Sequence, residues 1–455
     1  MDSNFQRHIE KDLLAWKEAP DRKPLILRGA RQVGKTTVVK SLAKSYAQFI
    51  HLNLEKVVHK TYFDTYNDVK SLSEAIFLDQ NKKPDWENTL LFIDEIQESP
   101  KAIHMLRYFY EELPELHVIA AGSLLEFALG NVRSFPVGRV EYRYVYPMNF
   151  AEFLAATKQE QALRELNTIP LRPIAHATLF RHFHSYAITG GMPEAVKTYV
   201  RDQSLLNLPR VYDSIWSTYQ DDVEKYANND IDKKVIKHIM RTAPTYLDER
   251  VTFQNFGNSN YRSREIGEAF RSLDDAKVIQ LIYPVTSTEF PLQPDLKKSP
   301  RLQFLDTGLV NHALGIQSKM LQMDDLSQAY KGKLTPHLVT QEIISVQTLN
   351  YQKPNFWVRQ KKQSQAEVDL VIAHEGMLIP IEIKSGPTGT LRSLHQFMNQ
   401  SPHPYAIRMY AGEFRIEHHK TPEGTPYILM NLPYFVGTKL REYISYLLNQ
   451  KHNQP

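Results

Sequence analysis

The chain of 455 residues contains no cysteine. A disulfide framework, a cysteine-ligated zinc site and a thiol nucleophile are thereby excluded, and a cytoplasmic location is the natural expectation. No stretch approaches the roughly 18 apolar residues that a membrane-crossing helix needs, so no membrane partner is expected. The first residues, Met-Asp-Ser-Asn-Phe-Gln-Arg-His, lack an apolar run behind a basic start and do not read as a signal peptide. Charge of one sign is not in excess: 55 basic and 51 acidic side chains leave +4, which neither demands nor excludes nucleic acid. What is present is ordinary for a globular protein, 42% hydrophobic and 23% charged. At ~100–200 residues per domain the length predicts about three or four domains.

The N-terminal part reads as α/β. Residues 5–17 carry apolar Ile9, Leu13, Leu14 and Trp16 in helical clusters. Pro24-Leu25-Ile26-Leu27 is a short apolar run of the buried-strand kind. From Thr36 to Tyr46, apolar Val38, Val39, Leu42, Ala43 and Tyr46 recur at helical spacing. Between strand and helix lies Gly29-Ala30-Arg31-Gln32-Val33-Gly34-Lys35-Thr36-Thr37, a complete G-x-x-x-x-G-K-T pattern. Glycines let successive N–H groups turn toward phosphate oxygens, and the following helix adds its positive end. Residues 29–37 are therefore predicted to bind ATP. Lys35 is expected to reach the β- and γ-phosphates, and Thr36 to ligate Mg²⁺ through its hydroxyl.

Leu90-Leu91-Phe92-Ile93 suits a parallel strand buried on both faces, and Asp94-Glu95 falls at its carboxyl end, where open α/β sheets bind ligands. Asp94 is the candidate Mg²⁺ holder and Glu95 the candidate base for the attacking water. A third strand, His117 to Ser123, makes Ser123 a candidate contact to γ-phosphate or water. Arg133 and Arg139 are candidate arginine fingers toward a neighbouring subunit of a homo-oligomer. Arg139 is preferred because Gly138 precedes it; a surface ion pair is its alternative role. No N-K-x-D guanine-reading motif is present, which argues against a GTPase.

Gly-Ala-Arg-Gln-Val-Gly-Lys-Thr-Thr, Leu-Leu-Phe-Ile-Asp-Glu-Ile-Gln, the Ala-Gly-Ser strand end and Pro-Val-Gly-Arg together resemble the AAA-type P-loop ATPases of bacteria and archaea that carry a C-terminal domain of unknown function. The resemblance continues through Tyr186 to Glu194 and Phe304 to Leu309. It implies a P-loop domain of the additional-strand class, in which a catalytic Glu follows the Mg²⁺-binding Asp; Glu95 occupies that place. It names no biological role.

Downstream, residues 141–230 read as a helical lid or connector, interrupted at Thr189-Gly190-Gly191-Met192-Pro193. Asp221, Asp222 and Glu224 read as a solvated helix face. Residues 231–300 suggest a winged helix, with Arg262-Ser263-Arg264 near nucleic-acid phosphates or the module used for protein packing alone. It is followed by a linker rich in proline at 284, 291, 294 and 300.

Residues 301–455 hold a second candidate site. Strand alternation puts Glu367 and Asp369 on one face, and Glu382 with Lys384 on the outward face of the next strand. A hairpin brings Asp369, Glu382 and Lys384 together, two acids for Mg²⁺ and a lysine for the attacking water. Glu342, on a predicted helix Leu338 to Leu349, is a further candidate ligand. This arrangement resembles the PD-(D/E)xK nuclease fold, and the C-terminal domain of the family named above is nuclease-like in this way. Arg359, Lys361 and Lys362 are candidate contacts to a nucleic-acid backbone. Two functions follow: an ATPase (1–140) controlling a winged-helix and nuclease-like module that acts on DNA or RNA, or an ATP-gated scaffold whose nuclease-like domain is silent and binds a partner.

Overall fold

In the computed structural model the described residues are 5–122, 138–227, 229–320, 332–349, 352–360, 366–386 and 390–450. The chain forms two compact units. The first is Met1–Pro147 joined by Asp275–Lys277 and Gln347–Tyr351; the second comprises Met148–Asp274, Val278–Val346 and Gln352–Pro455.

The first unit is built on five strands: β1 (Leu25–Arg28), β2 (Gln48–Asn53), β3 (Thr89–Asp94), β4 (His117–Ala121) and β5 (Glu141–Tyr144). Their order is β2-β3-β4-β1-β5, and every pairing is parallel. Parallel neighbours need crossover connections, which the helices Lys35–Ala43, Val69–Asp79 and Pro100–Glu112 supply. β3 and β4 are buried at every position, as their unbroken apolar runs require. β4 separates β1 from β3, so the loop after β1 and the acid ending β3 flank the end of β4. Residues 141–144, expected in a helical connector, instead form the edge strand β5 beside β1.

The second unit opens with helices including Phe150–Ala156, His176–Thr189, Pro193–Asp202, Leu208–Tyr226, Asp230–Thr242 and Ser263–Asp275. Asn149 and Glu152 form a reciprocal cap on the first of these. Asp222, expected in solvent, is buried at 4% exposure, because its helix packs against both neighbours. Three short strands follow: β6 (Ile279–Ile282), β7 (Pro284–Val285) and β8 (Arg301–Phe304). β6 and β8 pair antiparallel as a two-stranded ribbon. β7 joins a mixed seven-stranded sheet with β9 (Asn355–Val358), β10 (Glu367–His374), β11 (Met377–Ile383), β12 (Tyr405–Tyr410), β13 (Arg415–Lys420) and β14 (Pro426–Pro433). The order is β13-β14-β12-β11-β10-β9-β7. Pro284 and Val285, read as linker, thus form an edge strand paired with β9. An edge is where a sheet tolerates a residue without an N–H.

A buried polar hub ties the helices of this unit together. Asp306 is fully buried and accepts hydrogen bonds from the Gly191 N–H (2.5 Å), the Tyr212 hydroxyl (3.0 Å) and the Leu309 N–H (3.2 Å). Burial pushes its carboxyl up to about 6 against these donors. Gly308 is needed for the approach: a β-carbon there would lie 1.9 Å from the Tyr212 hydroxyl oxygen. The two motifs around residues 190 and 306 are one packing junction.

Candidate nucleotide site and acidic cluster

The phosphate loop has the conformation its glycines foretell. Gly29 has φ 145, and a β-carbon there would stand 2.2 Å from the Val145 carbonyl oxygen. Gly34 has φ 97 and precedes a helix whose first amides receive no side-chain cap. Those amides and the helix dipole are an anion-binding end. Lys35 is buried, and its Nζ donates to the carbonyls of Gly29 (2.9 Å) and Ala30 (2.8 Å). Burial pushes its ammonium down to about 8, opposed by the charges of Glu95 and Asp94. Arg7, which the sequence did not single out, donates to the carbonyls of Val33 (2.9 Å) and Tyr146 (2.6 Å), pinning the loop.

The structure brings the two halves of the site together. The Thr36 hydroxyl donates to Asp94 Oδ2 at 2.9 Å across 58 residues of sequence. His51 Nε2, on β2, lies 3.3 Å from the same oxygen and stacks on Phe92. Glu95 follows with φ 54, a left-handed backbone rare for a non-glycine residue. Its Oε2 accepts a 2.6 Å hydrogen bond from Gln97. Ser123 and Arg133 lie outside the described residues. Arg139 pairs with Glu111 of its own chain at 2.8 Å, and Glu111 also takes Arg107 at 3.0 Å.

In the second unit, β10 and β11 pair antiparallel with Leu370 opposite Ile381, which sets Asp369 and Glu382 on neighbouring strands. Lys384 Nζ donates to Glu382 Oε1 at 2.6 Å. Glu382, expected to face outward, is buried at 5% exposure, and its Oε2 has no hydrogen-bond partner among the described residues. Burial and the charge of Asp369 push its carboxyl up, with the Lys384 ammonium opposing. Asp369 Oδ2 accepts the Ile383 N–H at 2.7 Å.

A cation that the sequence reading missed faces this cluster. Arg301, on β8, reaches Glu367 (2.5 Å), Asp248 (3.4 Å) and Asp369 (3.6 Å), and its guanidinium lies 4.8 Å from the Phe356 ring centre. Burial pushes the Asp248 carboxyl up to about 7, with Arg301 pulling it back. A small opening is lined by Asp248, Arg301, Phe356 and Asp369 among others. Glu342 does not join: its carboxylate accepts from the Tyr186 hydroxyl (2.7 Å) and the Phe150 N–H (3.0 Å), crowning a helix start. Among the described residues no group of three or more His, Cys, Asp or Glu is disposed to hold a metal. Arg359 follows β9 directly and its N–H donates to the Ala366 carbonyl (3.2 Å), whereas Lys361 and Lys362 lie outside the described residues. Among the described residues, too, no helix is long and apolar enough to cross a membrane.

Residues 21–154 match a family profile described as an AAA domain. Residues 180–320 and 331–430 match two domains of unknown function, DUF8612 and DUF4143. No curated protein matches. Among solved structures the chain is similar to the Walker-type ATPase PABY2304 of Pyrococcus abyssi, at 16% identity and TM-score 0.43, over 68% of this chain and 96% of that one. It is also similar to PCH-2 of C. elegans, at 14% identity and TM-score 0.28, over 43% and 61%. With the parallel sheet, the strand–loop–helix and the profile match in agreement, residues 21–154 form an AAA-type, P-loop ATPase-like domain.

Proposed function

We propose that the protein is a Mg²⁺-dependent ATPase whose N-terminal domain gates the appended C-terminal part. The observation that carries this reading is the 2.9 Å contact of Thr36 with Asp94 beside the Lys35-capped loop. The residues fit the ligand: a nest of amides for phosphate, a buried ammonium, and a hydroxyl and carboxylate, both hard oxygen donors, for Mg²⁺. Residues 29–37 would bind the nucleotide, and Thr36 and Asp94 would hold Mg²⁺, which supplies charge neutralisation at the phosphates. Glu95 would orient and deprotonate the attacking water. Ser123 is proposed as a contact near it, and Arg139 as a finger that exchanges Glu111 for a neighbour's phosphates in a homo-oligomer.

For the C-terminal part, the reading with more support is a module that binds a partner or nucleic acid without cleaving it. Arg301 supports it, because a guanidinium already neutralises the carboxylates among which a metal would sit. The helix pair Asp230–Thr242 and Ser263–Asp275 followed by the β6–β8 ribbon supports a winged-helix reading. Glu382 Oε2 beside Asp369, without a partner among the described residues, favours the other reading, in which Asp369 and Glu382 hold Mg²⁺ and Lys384 serves a nuclease.

One assay separates the two. Single- and double-stranded DNA and RNA are incubated with Mg²⁺, with and without ATP, and with wild type, Asp369→Ala and Lys384→Ala. The expected result is Mg²⁺-dependent phosphate release from ATP with no strand scission by any of the three. Scission by wild type that disappears in Asp369→Ala overturns the non-cleaving reading.

A further inference from the structure

The loop after β3 carries a glutamine close to the acid that ends the strand and the one that follows it. The chain leaves the sheet at Asp94, turns through left-handed Glu95 and continues as a single 3₁₀ turn, Ile96–Glu98. Ile96 is fully buried and anchors the turn. Within it, Gln97 Nε2 donates to Glu95 Oε2 at 2.6 Å. The contact is made from a left-handed backbone at Glu95, which carries an energetic cost for a non-glycine residue.

Two further features belong to the same glutamine. Its other amide atom, Oε1, is enclosed and has no hydrogen-bond partner among the described residues. A buried acceptor without a donor is disfavoured, so packing alone gives no reason for an amide at this position. The end of β4 is also shaped around it. A β-carbon at Gly122 would lie 2.2 Å from Gln97 Oε1 and 3.4 Å from its Cδ. Gly122 therefore leaves the space in which the amide swings onto Glu95. Since β4 lies between β1 and β3, Gly122 follows the strand next to the one that leads into the phosphate loop.

We infer that Gln97 is a positioning residue for Glu95: its Nε2–H fixes the carboxylate that faces the attacking water, and Gly122 is small so that the amide stays in place. The inference rests on the ATPase reading. In the reaction it serves, the water oxygen forms a bond to the γ-phosphorus. The bond from that phosphorus to the bridging oxygen breaks with its electron pair left on ADP. The water proton passes to Glu95 and from there to the released phosphate. Gln97 neither gains nor loses a proton; it sets the direction of the carboxylate. Misplacing a base by about 1 Å costs up to ~100-fold in rate.

The test compares wild type, Gln97→Ala, Gly122→Ala, Glu95→Gln and the double variant Gln97→Ala/Glu95→Gln. Affinity for a fluorescent ATP analogue and the single-turnover rate at saturating Mg²⁺-ATP are measured for each. Gln97→Ala is expected to slow hydrolysis about 10- to 100-fold while affinity stays within about 3-fold. Gly122→Ala, which keeps the glutamine but pushes its amide aside, should do the same. In the Glu95→Gln background the loss from Gln97→Ala should vanish, because a residue acting through another has nothing left to position. A Gln97→Ala protein that hydrolyses at the wild-type rate overturns the inference. So does a loss that persists undiminished on top of Glu95→Gln. Wild type that binds no ATP overturns the ATPase reading and this one with it, an outcome distinct from wild-type turnover unaffected by Gln97→Ala.

Discussion

Replacing Glu95 with glutamine is expected to leave Mg²⁺-ATP binding near the wild-type level and to slow hydrolysis about 10²- to 10⁴-fold, the range for loss of a general base. The substitution keeps the side chain's length and volume. It also keeps an oxygen that can accept from Gln97, whose amide now holds Oε2 at 2.6 Å. What it removes is the negative charge and the ability to take a proton. Affinity should survive because the phosphate loop, Lys35 and the Thr36–Asp94 pair are untouched. The negative charge of Glu95 also helps keep the buried Lys35 protonated, so its removal moves the Lys35 ammonium further down. Single-turnover hydrolysis and equilibrium binding, measured on the same preparation, separate the two effects. Turnover within about 3-fold of wild type would remove Glu95 from the base role.

The second large effect concerns stability. Asp306→Ala is expected to destabilise the second unit by about 3–5 kcal/mol, because it strips a fully buried site of the carboxylate that accepts from two backbone amides and shares a tyrosine hydroxyl. The Gly191 N–H, the Leu309 N–H and the Tyr212 hydroxyl all point at that carboxylate. Tyr212 retains the Thr189 carbonyl at 2.6 Å, so the two amides bear most of the loss. Gly308→Ala should cost a similar amount by a different route. Its methyl would overlap the Tyr212 ring, with 2.2 Å to Cζ as well as 1.9 Å to the hydroxyl oxygen. Tyr212 is fully buried and has no room to withdraw. Urea unfolding followed by a probe in the second unit measures both. A midpoint unchanged in Asp306→Ala would mean that the hub does not hold the junction.

The geometry of the candidate nucleotide site was legible because its signals are local. A buried apolar run, a glycine loop and a helix period are each readable over a dozen residues, and parallel sheets deliver loop and acid to the same carboxyl edge. The contact of Thr36 with Asp94 followed from that rule alone. Features set by distant packing were not readable. Nothing near Arg301 in the sequence marks it as the counter-charge of Glu367 and Asp369, which come from a strand in another sheet. Pro284 read as linker because proline punctuates loops, while the edge position that admits it exists only in the folded sheet. Glu342 carried the right chemistry for a metal, but its helix is buried along nearly its whole length, and the carboxylate was taken up by Phe150 and Tyr186. Gln97 stands in the Asp-Glu-Ile-Gln run, and a glutamine two residues after a candidate base is the one signal that could have marked it. Its role became visible only with the left-handed turn at Glu95 and the glycine opposite.

Equilibrium titration of wild type and Lys35→Ala with a fluorescent ATP analogue, in the presence of Mg²⁺, goes to the heart of the matter. Wild type should bind one nucleotide per chain, and the variant should lose about 100-fold or more in affinity as the buried ammonium at the loop is removed. Equal affinity in the two proteins, or no saturable binding by wild type, would contradict a triphosphate held at residues 29–37.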